Sequence, residues 1–163
     1  SEMCIRDRLG YLYAPARARE AGGEFWFAEA GKGAWRNGVR LRASQRERLP
    51  GARVPAKKLA AEDADLVLVD QPNSIALRMA MVGADEADIL ATLRWGFEWD
   101  IAAAGLIARE AGAEVTDAFG QPLNYNKHDP RAFGVLCTSR AIHGAAVARL
   151  ADRAARFSAG PKG

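Results

Sequence analysis

The sequence predicts a mixed α/β protein in which an antiparallel meander precedes alternating strands and helices. Three observations carry this expectation. Residues 9–43 are rich in aromatic and β-compatible side chains punctuated by turn formers. From residue 65 onward, short apolar runs alternate with segments of helical spacing. Apolar residues make up 49% of the chain and charged residues 26%, a globular rather than a disordered composition. With 163 residues there is material for one sizeable core, or for one domain and part of another.

The elements follow in order. "SEMCIRDR", residues 1–8, has no hydrophobic period and resembles a translated sequencing adapter, so it is read as a non-native leader. "LGYLYAP" then reads as a strand already in progress, which implies missing sequence before Leu9. "GEFWFAEAG" is a second strand, and "GAWRNGVRLRAS" holds two more around a tight Asn37-Gly38 turn. Residues 44–64 are polar, contain two prolines and read as a connection, with a boundary near residue 50. "DLVLVD" suits a buried strand. "SIALRMAMVG" has helical spacing through Ile75, Met79 and Val82, with Ser74 as N-cap and Gly83 as the stop. "ADILATLR" reads as a strand and Trp99 to Ala111 as a helix closed by Gly112. "AEVTD" and "FGVLCTS" are two further strands, and "AIHGAAVARLADRAARF" is a closing amphipathic helix. The chain therefore divides into a leader (1–8), an antiparallel N-terminal remnant (9–46), an α/β subdomain (47–157) and a flexible tail (158–163).

Composition excludes several classes of function. The net charge of +3 comes from 23 basic residues scattered along the chain, without the basic stripe and interleaved aromatics that nucleic-acid binding requires. No window approaches the roughly 18 consecutive apolar residues of a membrane span, and no signal-peptide layout opens the chain. Cys4 and Cys137 lie far apart, without CxxC or Cys/His spacing, so neither a disulfide framework nor a zinc site is expected. A reducing cytoplasm fits that usage.

One residue draws the chemistry. Asp100 stands at the mouth of the alanine-rich helix, where free N–H groups and the dipole favour an acid by about 0.5–2 kcal/mol. A cap explains that placement. So does a metal site: a carboxylate held by such donors keeps lone pairs for Mg²⁺, which prefers one or two carboxylates with waters and phosphate oxygens, and a helix N-terminus favours a phosphate nearby. Position alone leaves both readings open.

The wider sequence bears on the choice. "EWDIAAAGLIAREAGAEVTDAFGQPL", "GEFWFAEAGKGAWRNGVRLRAS" and "NSIALRMAMVGADEADI" together resemble the inositol monophosphatase family, in order and with compatible spacing from residue 9 to about 150. The resemblance implies the C-terminal portion of a layered αβαβα sugar-phosphatase fold. It also implies a Mg²⁺-dependent, often lithium-sensitive phosphomonoesterase acting on a small phosphorylated substrate, with homodimerisation common. Asp100 matches a metal ligand of the family and is thus expected to act as cap and ligand at once, and Asn73, Ser74 and Ile75 match a segment that contacts substrate. Asn73 replaces the family's usual glycine, and Ser74 serves equally well as an N-cap.

Two departures bear on substrate and completeness. Some inositol phosphatases carry a glutamate seven positions before the metal aspartate, where this chain has Leu93 followed by Arg94. Arg94 and "GQPLNYN" lean toward the phosphoadenosine phosphate phosphatases of sulfur assimilation, because an arginine there suits a second phosphate. A solvated strand-end charge is the plainer account of Arg94. The family's Asp-Pro-(Ile/Leu)-Asp-Gly-Thr block is absent from all 163 residues. The expected reading is thus a phosphatase fragment, inactive alone, whose parent enzyme hydrolyses a phosphate monoester. The alternative from another class is a noncatalytic α/β binding domain in which Asp100 only caps.

Other motifs carry bland readings. "DEAD" at 85–88 lacks any phosphate-cradling partner motif and is read as a turn into a strand. His128 and His143 have no ligand partners at metal spacing, and His143 is read as a surface or satisfied structural residue. Glu110 is expected to cap or pair, and Asp117 to form an Asx turn.

Overall fold

In the computed structural model, residues 9–18, 20 and 22–160 are described. The expected leader and residues 161–163 of the expected tail lie outside them. Among the described residues, nine strands and three α-helices follow in chain order. The meander forms as expected: β1 (Leu9–Ala14), β2 (Glu24–Glu29), β3 (Gly33–Arg36) and β4 (Val39–Arg40) pair antiparallel in sequence order. Asn37 and Gly38 both adopt positive φ, 48° and 80°, which gives the two-residue turn the twist of its flanking strands. Alternation sorts the side chains. Trp26, Ala28 and Ala34 are buried, while Tyr11, Tyr13 and Phe25 lie exposed on the other face.

The connection at 44–64 is more structured than its composition suggests. Arg53–Pro55 forms β5, which pairs in parallel with β6 (Val67–Val69). "DLVLVD" is therefore a strand but not a buried one: Val67 is 49% and Leu68 45% exposed. Among the described residues β6 has β5 as its only ladder partner, so an apolar run that read as core sits on a two-stranded ribbon. The polar connection hid β5 because Arg53 is paired rather than exposed. Its guanidinium and backbone N–H bind the Asp88 carboxylate, itself only 1% exposed.

Helix α1 (Ile75–Gly83) begins where expected, with the Ser74 hydroxyl accepting the Leu77 N–H at 3.2 Å. Gly83 does not stop it. Gly83 is its last helical residue and faces α2 (Ala102–Glu110), where a β-carbon would lie 3.3 Å from both Ala108 Cα and Ala111 Cβ. The glycine lets the two helices cross closely. The turn falls instead at Asp85, at φ +59°.

The third sheet has order β7-β9-β8 and is antiparallel throughout: β7 (Ile89–Phe97), β8 (Ala113–Thr116) and β9 (Arg131–Ser139). One hydrophobic cluster joins α1 and α2 to this sheet through Met79, Val82, Leu90, Ala104, Ala108, Val115 and Val135. A second joins the same helices to the meander through Trp26, Ala28, Ala34, Leu77, Ala80 and Ile107. The helix pair is thus sandwiched between two sheets, and the N-terminal remnant shares its core with the α/β part. Helix α3 (His143–Ser158) buries Ala146, Leu150 and Ala154 along one face. Arg149–Asp65 and Arg153–Asp63 ion pairs fasten it to the segment after β5. It runs through Ser158, the first residue of the expected tail. No helix among the described residues is long and apolar enough to cross a membrane.

Candidate functional site

Strand β7 builds the site by being irregular. Its ladder with β9 pairs Thr92 with Val135 and Trp95 with Phe133, so Leu93 and Arg94 together oppose the single residue Gly134. This is a β-bulge, which bends the strand and re-aims its side chains. Leu93 packs against two hydrophobic clusters, whereas Arg94 is exposed and lines two adjoining pockets. Arg94 is therefore not a strand-end charge; it projects from the bulge in mid-strand.

The first pocket, a cavity of about 230 Å³, brings Asp100 together with Ile75, Arg94, Gly96 and Phe97. Asp100 is exposed and forms no hydrogen bond or ion pair among the described residues, so both oxygens remain open to a ligand. It is not a helix cap. Glu98–Asp100 forms a 3-10 turn, and α2 starts only at Ala102, three residues later than the expected Trp99. Its N-cap is Ile101, and no side-chain hydrogen bond caps it. The turn spends the polar chain on positioning instead. Glu98, 6% exposed, accepts the backbone N–H groups of Asn126 and Lys127, tying the loop after β8 to the residue pair beside Asp100.

The second pocket shares Thr92 and Arg94 with the first and adds Lys57, Gln71, Asn73 and Arg78. Arg78 was not anticipated, although a lone charge inside the apolar run "IALRMAMV" was a visible signal. It is 9% exposed and, among the described residues, reaches no carboxylate; its one hydrogen bond among them is a long Nε contact, 3.4 Å, to the Ser74 carbonyl. Burial, and then the nearby Arg94, push its pKa down. Lys57 and Arg94 likewise have no acidic partner among the described residues. The buried Oε1 of Gln71 lacks a hydrogen-bond partner. Nothing in local sequence marks Lys57 or Gln71, which reach the pocket through the β5–β6 ribbon.

The expected residues thus gather unevenly. Asp100, Ile75 and Arg94 share one pocket, and Asn73 and Arg94 share the other. Ser74 lines neither, and its hydroxyl is spent on the N-cap. Among the described residues no three His, Cys, Asp or Glu side chains converge into a metal cluster. Asp100, exposed and without a partner among the described residues, has the oxygen chemistry to serve a hard cation as one ligand. The remaining candidates are structural. Both His143 ring nitrogens have hydroxyl partners, Thr116 at 3.1 Å and Thr138 at 2.9 Å. Asp117 accepts the N–H groups of Phe119 and Gln121 in an Asx turn. Glu110 accepts those of Gly31 and Gly33, holding the β2–β3 turn onto α2.

The model of the "Inositol monophosphatase family" matches residues 6–155. The chain belongs to the inositol monophosphatase family. A curated relative from Thermotoga maritima, described as fructose-1,6-bisphosphatase/inositol-1-monophosphatase, is 35% identical over 125 residues, covering 72% of this chain and 46% of its own length. The solved Thermotoga maritima inositol monophosphatase superposes with a TM-score of 0.70 at 26% identity, over 92% of this chain and 58% of that one. The extragenic suppressor protein SuhB from Bartonella henselae does so with a TM-score of 0.69 at 28% identity, over 88% of this chain and 58% of that one. The chain therefore spans about half the length of the curated relative and has the inositol monophosphatase fold over that span.

Proposed function

We propose that this chain is the substrate- and metal-binding half of a Mg²⁺-dependent phosphatase that hydrolyses a small phosphate monoester. The observation that carries the reading is a carboxylate, Asp100, sharing a pocket with a guanidinium, Arg94, neither of them paired among the described residues. Asp100 would hold Mg²⁺, which supplies charge neutralisation and an activated water when bound. Arg94 binds the phosphoryl oxygens, in the bidentate manner guanidinium favours. Ile75 walls the pocket and limits water around the ester. In the overall reaction a water oxygen bonds to phosphorus, the ester P–O bond breaks, and the departing oxygen takes a proton to give an alcohol and inorganic phosphate. One carboxylate does not complete such a site, so the chain alone is expected to bind ligands without turning them over.

Arg78 favours a second reading within the same chemistry, a bisphosphorylated nucleotide such as phosphoadenosine phosphate. A buried cation without a carboxylate partner is costly, and Lys57, Arg78 and Arg94 around one pocket match a second phosphate. The noncatalytic reading loses its support, because it rested on Asp100 as a cap. Calorimetric titration of Mg²⁺ and inorganic phosphate into the chain tests the proposal. Asp100→Ala is expected to abolish metal-dependent phosphate binding; unchanged binding would overturn the role of Asp100, and turnover by the isolated chain would overturn its incompleteness.

A further inference from the structure

Strands β5 and β6 run parallel, and a parallel pair is ordinarily joined by a crossover helix that covers the face of its sheet. Here the crossover, residues 56–66, holds only the 3-10 turn Ala61–Asp63. A cavity of about 510 Å³ lies between this segment, β7 and α3. Its walls are aliphatic, formed by Leu49, Val54, Leu66, Ile89, Leu93 and Leu150, and no aromatic side chain lines it. Four charged groups reach it, the cations Lys58, Arg149 and Arg153 against the single carboxylate of Asp63. Both guanidinium forks are already engaged: Arg149 donates to Asp65 and Arg153 to Asp63, each pair at 2.6 and 2.9 Å. Lys58 is exposed and has no partner among the described residues. The cavity is separate from the phosphate pocket. Leu93 borders both, but Lys57 lines the one and Lys58 the other.

We infer that this cavity is a second binding site, for a medium-chain aliphatic carboxylate whose head meets Lys58 and whose chain lies along the leucine-rich wall. Its size falls within the range of about 300–1,000 Å³ typical of small-molecule sites, and an apolar wall with one convergent charge is their usual make-up. Each methylene buried against such a wall adds a similar increment of binding. A ring would find no stacking partner there, so a flexible chain uses the space as well as a planar one does. The head group follows from the cations. A phosphate calls on planar guanidinium forks, which the two aspartates occupy, whereas an ammonium is a point charge that a single carboxylate neutralises. The site owes nothing to Asp100 or Arg94 and stands apart from the phosphatase reading.

Octanoate, hexanoate, butyrate and octanol, titrated by calorimetry into the full 163-residue chain, test the assignment. Octanoate is expected to saturate one site, and each pair of methylenes removed to weaken binding about tenfold. Lys58→Met is expected to weaken octanoate about threefold and to leave octanol unchanged. Ala91→Leu and Ala56→Leu fill the cavity from β7 and from the crossover, and each is expected to abolish binding of both ligands. Circular dichroism shows which of the two remains folded, and either one suffices. No saturable octanoate binding, binding unmoved in a folded filling variant, or octanol binding as tightly as octanoate overturns the inference. So does competition by inorganic phosphate, which would seat the carboxylate at Arg94 instead. Octanoate binding retained in a chain that binds no phosphate supports this site and counts against the phosphatase reading alone.

Discussion

Gly134 lies so close to Thr92 that a β-carbon added to it would stand 2.3 Å from the Thr92 carbonyl oxygen. Gly134 also holds φ at +69°, a conformation side chains resist, and Ala118 Cβ closes in at 2.7 Å. This contact is where two residues of β7 face one of β9, so the bulge that presents Arg94 depends on a missing methyl group. Gly134→Ala is expected to cost about 2 kcal/mol or more of unfolding free energy. It is also expected to weaken phosphate binding, read by denaturant melts and titration. Retained affinity in a destabilised but folded variant would separate the bulge from Arg94.

Arg78 should show the opposite sign. A buried guanidinium without a carboxylate partner destabilises the fold, and a well-packed apolar replacement of similar length removes that cost. Arg78→Met is expected to raise stability by about 1 kcal/mol while lowering the affinity for a bisphosphorylated ligand about tenfold. A melt lower than that of the unmodified chain would mean that the guanidinium is satisfied in a way its neighbours do not suggest.

Asp88 couples the β5–β6 ribbon to β7 and carries a pH dependence. Burial pushes its carboxyl up, but hydrogen bonds from the Arg53 guanidinium, the Ser44 hydroxyl and the Arg53 backbone more than offset this, leaving it at about 2. Its folded value is below its unfolded 3.8, so the stabilisation is fully present above about pH 4 and disappears as pH falls through about 2. The linked loss is of the order of 2 kcal/mol. Asp88→Asn is expected to remove this acid limb and destabilise the chain at neutral pH by about 2 kcal/mol, because Arg53 loses its buried charged partner and keeps the exposed Asp85 carboxylate. Parallel acid melts of the two chains check it.

His143 titrates in the same direction at higher pH. Burial lowers its pKa, Glu114 opposes weakly, and the ring lies between the Thr116 and Thr138 hydroxyls. With the folded pKa below the usual 6.5, neutral His143 stabilises the fold above that value, and the contribution is lost as pH falls below it. The His143 imidazole resonance of the folded chain should titrate below that of an unfolded control; a midpoint above 6.5 would refute the assignment.

Local pattern made much of the fold legible. The turn at Asn37-Gly38, the Ser74 cap and the helical spacing of α1 and α3 are written in neighbouring residues, and they form as read. Two elements misled for the same reason. "DLVLVD" is apolar yet exposed, and "RVP" is a strand inside a polar connection, because strand burial depends on what pairs and packs from far along the chain.

The candidate site divides along that line. Asp100, Ile75, Arg94 and Asn73 could be named from sequence, because the short segments that hold them resemble the family's. Arg78 showed only as a charge out of place in an apolar helix, and Lys57 and Gln71 did not show at all. Local pattern let Asp100 be read as a cap, because an acid before an alanine-rich run satisfies the rules for one, and the family resemblance made it a metal ligand at the same time. The tertiary structure moved it into a 3-10 turn with its oxygens free, since Glu98 is anchored to the Asn126–Lys127 backbone and holds the chain off the helix start. Spacing fixes which residues share a helix or strand. Which of them share a pocket is decided by pairing across tens of residues, here the bulge in β7 against Gly134, and no local pattern encodes that register.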